Sequence, residues 1–152
     1  MNDVDLMKQA IALAEQGASL GEVPVGALVV KDGEVIAKAH NEREILPDAT
    51  AHAEVLAIRR ACAALGTNRL TGCTVYVTLE LCPMCAGALA AARVDRVVFG
   101  AYDARGGACG SMMRIQKYPL YYMPVFEGGV SEQECSTLLT AFLSKNVKER
   151  TA

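Results

Sequence analysis

The chain has 152 residues, of which 52% are hydrophobic and 21% are charged, and its formal net charge is −2. This length fits one domain with a buried core, which we expect to span residues 1–152. The chain lacks the roughly 20 consecutive apolar residues of a membrane span, and its acidic start is unlike a secretory signal peptide. Composition therefore excludes a membrane-spanning protein and favours a soluble, cytoplasmic one whose six cysteines are reduced thiols.

The first predicted elements are a helix and a β-hairpin. The helix is indicated by apolar residues at helical spacing: Met7, Ala10, Ile11, Ala14 and Ala18. Asp3 or Asp5 is expected to cap its N-terminus. Strands at 25–30 and 34–39 flank the dipeptide Asp32-Gly33, which is typical of two-residue hairpin turns.

The rest of the chain continues to alternate between helices and strands. The pattern predicts a helix from Thr50 to before Gly66, a strand at 74–79, a helix at 82–92, strands at 96–100 and 124–126, and a final helix after Ser131. This order predicts the α/β class, with a central mixed five-stranded sheet in a three-layer α-β-α sandwich.

Two short motifs carry the chemistry: His52-Ala53-Glu54 and Cys82-Pro83-Met84-Cys85. One imidazole and two thiols make three ligands suited to zinc, and a catalytic zinc site has three protein ligands and leaves the fourth position to water. Glu54, close to His52, has the chemistry to carry a proton for such a water. The motifs therefore predict zinc as the cofactor, His52, Cys82 and Cys85 as its ligands, and Glu54 as the catalytic residue.

The local chain direction at both motifs follows from helix geometry. Two thiols at Cys-x-x-Cys spacing fit the opening turn of a helix, where the helix dipole favours thiolate. Pro83 suits the first helical position, where its missing N–H costs no hydrogen bond. Residues two apart on a helix do not share a face, so we expect His52 and Glu54 to reach one site only where the chain enters a helix.

Other interpretations of the motifs stay open at this point. A Cys-x-x-Cys pair also occurs in redox dithiols, in structural zinc sites and as buried thiols. A redox pair does not need the upstream His-x-Glu. A structural zinc would need a fourth ligand from outside the motifs, and the candidates are His40, Cys62, Cys73, Cys109 and Cys135. We expect the four remaining cysteines to be small core residues.

The motifs, and further stretches over nearly the whole chain, resemble the bacterial tRNA adenosine deaminases, within the zinc-dependent cytidine and deoxycytidylate deaminase superfamily. The matching stretches lie at 22–27, 40–41, 50–54, 78–80, 82–88, 97–101 and 110–111. The resemblance implies a cytidine deaminase-like fold, a homodimer, and adenosine-to-inosine conversion at the wobble position of a tRNA anticodon. It also implies that Asn41 hydrogen-bonds the substrate nucleoside and that Val23 and Pro24 line the base pocket.

The chain departs from the family pattern near the expected substrate contacts. Leu81 replaces a proline that usually precedes the first cysteine, and we expect it to loosen the approach to Cys82 without removing a ligand. Glu42-Arg43 replaces a usual Arg-Pro pair, Tyr102 replaces a common basic residue, and the segments 105–109 and 117–124 are also unusual. These departures bear on the substrate more than on the reaction.

The charge distribution leaves the substrate open. The isoelectric point is near 5.7, whereas nucleic-acid binders carry a basic surface. Residues 1–76 hold seven Lys/Arg against ten Asp/Glu, and residues 77–152 hold eight against seven. The favoured hypothesis is a deaminase acting on a tRNA anticodon stem-loop. The alternatives are a deaminase of a free nucleobase or nucleoside, of guanine or cytosine type, and a non-catalytic module stabilised by zinc.

Overall fold

The computed structural model describes residues 1–151, and the side chains of residues 1–145. The elements in chain order are α1 (Asp3–Ser19), β1 (Gly26–Lys31), β2 (Glu34–His40), α2 (Ala53–Leu65), β3 (Cys73–Leu79), α3 (Pro83–Ala91), β4 (Arg96–Ala101), a short 3₁₀ helix (Ile115–Lys117), β5 (Val125–Glu127) and α4 (Glu132–Thr151). No described helix is both long enough and apolar enough to cross a membrane.

The five strands form one mixed sheet in the order β2-β1-β3-β4-β5. β1 is antiparallel to both β2 and β3, whereas β3, β4 and β5 are mutually parallel. At the hairpin between β1 and β2, Asp32 has a φ of 51° and Gly33 a φ of 78°. Two consecutive left-handed residues define the two-residue turn predicted from Asp-Gly.

Helices cover both faces of the sheet. On one face, α2 and α3 pack through Leu56 and Leu89 against sheet residues such as Val75. On the other face, Met7 of α1 and Cys135 of α4 belong to a second cluster of buried residues. The central strands β1, β3 and β4 are buried along almost their whole length, because both of their faces are covered. The predicted three-layer α-β-α sandwich is confirmed.

The N-terminal cap of α1 differs from the prediction. Asn2, not Asp3 or Asp5, is the N-cap, and its side chain accepts a hydrogen bond from the backbone N–H of Asp5 at 2.9 Å. The Asp5 carboxylate accepts from the Asn2 backbone in return, at 3.4 Å. Asp3 lies inside the helix, and its carboxylate is used in a contact with the sheet.

That contact is an ion-pair cluster that joins α1 to three strands. The Arg96 guanidinium donates two hydrogen bonds to Asp3, at 3.0 and 2.7 Å, and also donates to Glu127. The Tyr76 hydroxyl donates to Asp3 at 2.7 Å. The hydrogen bond from Arg96 holds the pKa of Asp3 below its ordinary value. Burial, followed by the Asp3 contact, raises the pKa of Tyr76 to about 12.

We predict that Asp3→Asn lowers the free energy of unfolding at neutral pH by about 1 kcal/mol, the value of a well-oriented, partly exposed ion pair. A carboxyl whose pKa is lower in the folded state stabilises the fold above its unfolded pKa, and this contribution is lost as the pH falls through the folded value. The difference between wild type and variant should therefore shrink below pH 3.8. Denaturant unfolding at pH 7 and pH 3 measures it, with Asp32→Asn in the hairpin turn as the control. A constant difference would contradict the prediction.

Candidate metal centre and active site

Two helices begin at the same place, and their N-cap residues supply two of the predicted ligands. His52 is the N-cap of α2 and Cys82 is the N-cap of α3; both have extended backbones, and neither side chain caps its own helix. Pro83 occupies the first turn of α3, as predicted, and Cys85 lies within that turn. Both imidazole and thiol are thus free to point away from the helix ends.

The three predicted ligands come together in the structure. The His52 Nδ1 atom lies 3.4 Å from the Cys85 Sγ and 3.7 Å from the Cys82 Sγ. One ligand atom from each residue lies within 4.8 Å of the others. Among the residues that the structure describes, no further His, Cys, Asp or Glu joins this group. The arrangement fits a metal with three protein ligands rather than the four of a closed structural site.

The pKa values of the two thiols are shifted in opposite directions. The hydrogen bond from Cys85, followed by that from His52, lowers the pKa of Cys82 to about 4. The pKa of Cys85 is raised, because it donates to Cys82 and is buried. All six cysteines are free. The hydrogen bond with Cys82 raises the pKa of His52. Zinc binds thiolate and neutral imidazole and displaces their protons, so one imidazole and two thiols fit this metal.

Glu54 is buried in the first turn of α2, with 4% of its surface exposed. Its Oε1 atom has no hydrogen-bond partner. A buried polar atom without a partner is costly, and such an atom marks a functional group or a position for a molecule that is not part of the chain. Burial raises the pKa of Glu54. Because His52 precedes the helix and Glu54 lies inside it, both reach one site, as the sequence predicted.

Asn41 fastens the metal-ligand segment to the end of β2. Its Oδ1 accepts a hydrogen bond from the backbone N–H of Ala53 at 2.8 Å, and the side chain is buried. Ala53 is the first residue of α2, so Asn41 satisfies one of the free N–H groups at that helix end. Asn41 also lines the cavity beside the ligand group, and the hydrogen bonds of the described residues leave its amide –NH₂ available as a donor.

A cavity of about 170 Å³ opens beside the ligand group. Its lining residues are Val23, Val25, Asn41, Arg43, His52, Glu54, Leu79, Glu80, Cys82 and Asp103. The structure thus brings Val23, Asn41 and Glu54 together with His52 and Cys82, as predicted. Pro24 is buried, but the cavity is lined by its two neighbours, Val23 and Val25, rather than by Pro24 itself.

The sequence did not reveal Glu80 as part of the site. This buried carboxylate accepts hydrogen bonds from the backbone N–H groups of Asp103 at 2.9 Å, Cys109 at 3.0 Å and Ser111 at 3.1 Å. Burial opposes its ionisation, but these hydrogen bonds and that from the Ser111 hydroxyl hold its pKa below the ordinary value. Glu80 therefore fixes the 103–111 loop, and with it Asp103, at the edge of the cavity.

Leu81, which precedes Cys82, packs in the core. Its side chain is fully buried in the core beneath α2 and α3, and its carbonyl accepts a hydrogen bond from the Ala108 N–H at 2.8 Å. Burying a leucine contributes about 1.5–3 kcal/mol, so the departure from proline exchanges backbone stiffness for apolar packing. A looser backbone before Cys82 stays a prediction, while these contacts hold Leu81 itself in the core.

Comparison with known proteins agrees with this geometry. The family model of the MafB19-like deaminases matches residues 1–123. A tRNA-specific adenosine deaminase of Bacillus subtilis is 49% identical over 147 residues, which are 96% of this chain and 91% of that protein. One from Aquifex aeolicus is 45% identical over 139 residues, covering 91% and 92% of the two chains.

Solved structures give the same result. A structure from work on tRNA:A34 deaminases that carry out A-to-I editing at the wobble position of transfer RNA superposes with a TM-score of 0.85 at 44% identity, over 88% of this chain and 97% of that one. A guanine deaminase from Bacillus subtilis gives a TM-score of 0.67 at 34% identity, over 96% and 94%. The fold is that of a nucleobase deaminase, and the chain is a hydrolytic enzyme of this class. The chain belongs to the family of tRNA-specific adenosine deaminases.

Proposed function

We propose that this chain is a zinc-dependent deaminase that converts adenosine to inosine at the wobble position of a tRNA anticodon. The chemistry is supported by one observation above the others: a three-donor group, His52, Cys82 and Cys85, beside the buried Glu54, whose Oε1 atom has no hydrogen-bond partner. The substrate is supported by the tRNA-specific relatives. We further propose that residues 1–152 act as one deaminase domain and that the enzyme works in the cytoplasm, where free thiols persist.

The roles of the residues follow from their positions. His52, Cys82 and Cys85 would hold zinc, which supplies Lewis-acid activation of a water molecule when it is bound. Glu54 would take a proton from the attacking water as the water oxygen forms a bond to C6 of adenine, and would deliver that proton to the amino group. The C6–N bond then breaks and the amino group leaves as ammonia, while the second proton of the water goes to N1, which gives the keto form of inosine. A raised pKa suits Glu54 for both halves of this transfer, since a proton carrier works best near the ambient pH.

The cavity selects a single base. Its volume of about 170 Å³ is below the roughly 300–1,000 Å³ of pockets that enclose drug-sized ligands. A stem-loop therefore has to present its adenosine flipped out of the stack. Within the cavity, Asn41 donates a hydrogen bond to the nucleoside and Val23 packs against it, while Pro24 supports the wall from behind.

Two other functions fit the structure less well. A deaminase of free guanine- or cytosine-type compounds is supported by the similarity to a guanine deaminase, but the tRNA:A34 deaminase is closer both in TM-score and in identity. A non-catalytic zinc module would have a fourth protein ligand, which the described part of the chain does not provide.

The homodimer is a separate proposal, supported by the outward face of α3. This helix is apolar on all sides, and its solvent side exposes Met84 and Ala91 beside a shallow cavity of about 270 Å³. Tyr121 borders this cavity and is fully exposed. A helix that is apolar all round is normally buried, and a second copy of the chain would bury this one.

Ala91→Lys tests the dimer. A lysine on this face would be desolvated at the interface, so we expect sedimentation to show a shift from dimer to monomer at micromolar concentration. Ala12→Lys, on the exposed side of α1, is the matched control and should leave the mass unchanged. A wild-type monomer, or a dimer that tolerates Ala91→Lys, would refute the proposed interface.

The substrate is tested with zinc-loaded protein and mass-spectrometric detection of deamination. One reaction contains an anticodon stem-loop with adenosine at the wobble position; the others contain adenine, guanine, cytosine and their nucleosides. We expect inosine to form in the stem-loop, with little turnover of the free compounds. Turnover of a free base or nucleoside with the RNA unchanged would instead support the small-molecule deaminase.

The mechanism is tested with Glu54→Ala. Removing the proton carrier should lower kcat by about 10²–10⁴-fold, while zinc content measured by mass spectrometry stays at the wild-type level because the ligands are intact. His52→Ala should lose the metal as well as activity. Glu44→Ala, an exposed glutamate that does not line the cavity, is the control and should behave as wild type. Retained turnover in Glu54→Ala would rule out its proposed role.

A further inference from the structure

Arg43 places a positive charge at the mouth of the cavity. It lines the cavity with Asn41 and His52, and it is exposed to solvent. Its Nε donates a hydrogen bond to the carbonyl of Ala49 at 3.2 Å, which aligns the guanidinium along its own loop. The hydrogen bonds and ion pairs of the described residues leave its two terminal nitrogens without an acceptor. The forked end of the side chain is therefore free to bind an anion.

None of the acidic groups nearest in the chain, Glu42, Glu44 and Asp48, forms an ion pair with Arg43 in the described part of the chain. Glu42 is paired with Arg60 at 3.0 Å, and Arg60 also donates to the carbonyl of Lys38. Asp48 accepts hydrogen bonds from both the backbone and the hydroxyl of Thr50, each at 2.8 Å. An unpaired cation beside a cavity attracts an anionic ligand more strongly than a paired one does.

The loop that carries Arg43 is held in place from the interior. Glu22, only 1% exposed, accepts hydrogen bonds from the backbone N–H groups of Glu44 at 3.0 Å and Ile45 at 2.8 Å. On the other side of Arg43, the Glu42 N–H donates to the carbonyl of Ala51 at 2.9 Å. The backbone at Arg43 is thus fixed at both neighbours, and a fixed loop loses little conformational entropy when a ligand binds.

We propose that Arg43 is a specificity-determining residue that binds a backbone phosphate flanking the adenosine to be deaminated. This inference rests on the proposed function and deepens it. The cavity takes the base, and the backbone phosphates on either side of this nucleotide then lie at the mouth, where Arg43 is exposed. A guanidinium matches two phosphate oxygens with two parallel N–H donors. Free bases and nucleosides have no such phosphate, so the contact favours adenosine within RNA.

The test pairs a protein change with a substrate change. Wild type and Arg43→Gln are assayed on the stem-loop with normal linkages, and on stem-loops in which the phosphate on the 5′ or the 3′ side of the adenosine is replaced by a neutral methylphosphonate. The nucleotide preceding the altered linkage carries a 2′-O-methyl group in both the neutral and the normal substrate. Arg59→Gln, an exposed arginine on α2 that does not line the cavity, is the matched control.

With normal linkages, Arg43→Gln should raise KM about tenfold, as expected for one charge-assisted hydrogen-bonded contact. It should also reduce the slope of log KM against log salt by about 1. At one of the two methylphosphonate positions, wild type and Arg43→Gln should have the same KM. Free adenosine, if it is turned over at all, should show no difference between them.

Two results would overturn the inference. One is a KM for Arg43→Gln that differs from wild type equally on the normal and on both neutral substrates. The other is an effect of Arg59→Gln as large as that of Arg43→Gln, which would indicate only the general field of the protein. Failure of the proposed function would be distinguishable from failure of this inference, because wild-type protein would then leave every stem-loop unchanged.

Discussion

One hydrogen bond outside the helices makes the site possible: the one from the Ala53 N–H to the Asn41 side chain. An N-cap residue normally uses its own side chain to satisfy a free N–H of its helix. His52 occupies that position at the start of α2, but its imidazole faces the two thiols instead. Asn41 performs the capping in its place, and this releases the imidazole. Replacing an N-cap without such compensation costs about 0.5–2 kcal/mol.

Two buried carboxylates hold the loops in a similar way, by accepting hydrogen bonds from backbone N–H groups. Glu22 accepts backbone N–H groups from the loop after β2, and Glu80 accepts them from the loop after β4. The salt bridges of the described residues pair neither of them with a cation; backbone N–H groups, and for Glu80 also the Ser111 hydroxyl, are their hydrogen-bond donors. Gly107 completes this packing, because a Cβ there would lie 2.3 Å from the Glu80 carboxyl carbon. The loops after β2 and β4 are thereby held in place, and they contribute Arg43 and Asp103 to the lining of one cavity.

The sequence revealed the parts of this site that rest on short-range patterns. The ligands and Glu54 stand within compact motifs, and the sheet followed from apolar runs and one Asp-Gly turn. Long-range hydrogen bonds were invisible to such patterns: Glu80 and Ser111 are 31 residues apart, and Glu22 and Ile45 are 23 apart. The cap of α1 was misassigned because three acceptors, Asn2, Asp3 and Asp5, compete within four positions. In the folded chain the Asp3 side chain accepts hydrogen bonds from Arg96, and Asn2 is the residue that caps the helix.

The sheet separates the molecule into layers with different tasks. All the proposed ligands and the proton carrier belong to the α2–α3 side, whereas α1 and α4 pack on the opposite face, where Asp3 of α1 also pairs with Arg96. The exposed surface of α1 is therefore a region where evolution or a protein engineer can attach another domain without touching the catalytic layer. Such a fusion would add reach or targeting to the enzyme while leaving its reaction centre as it is.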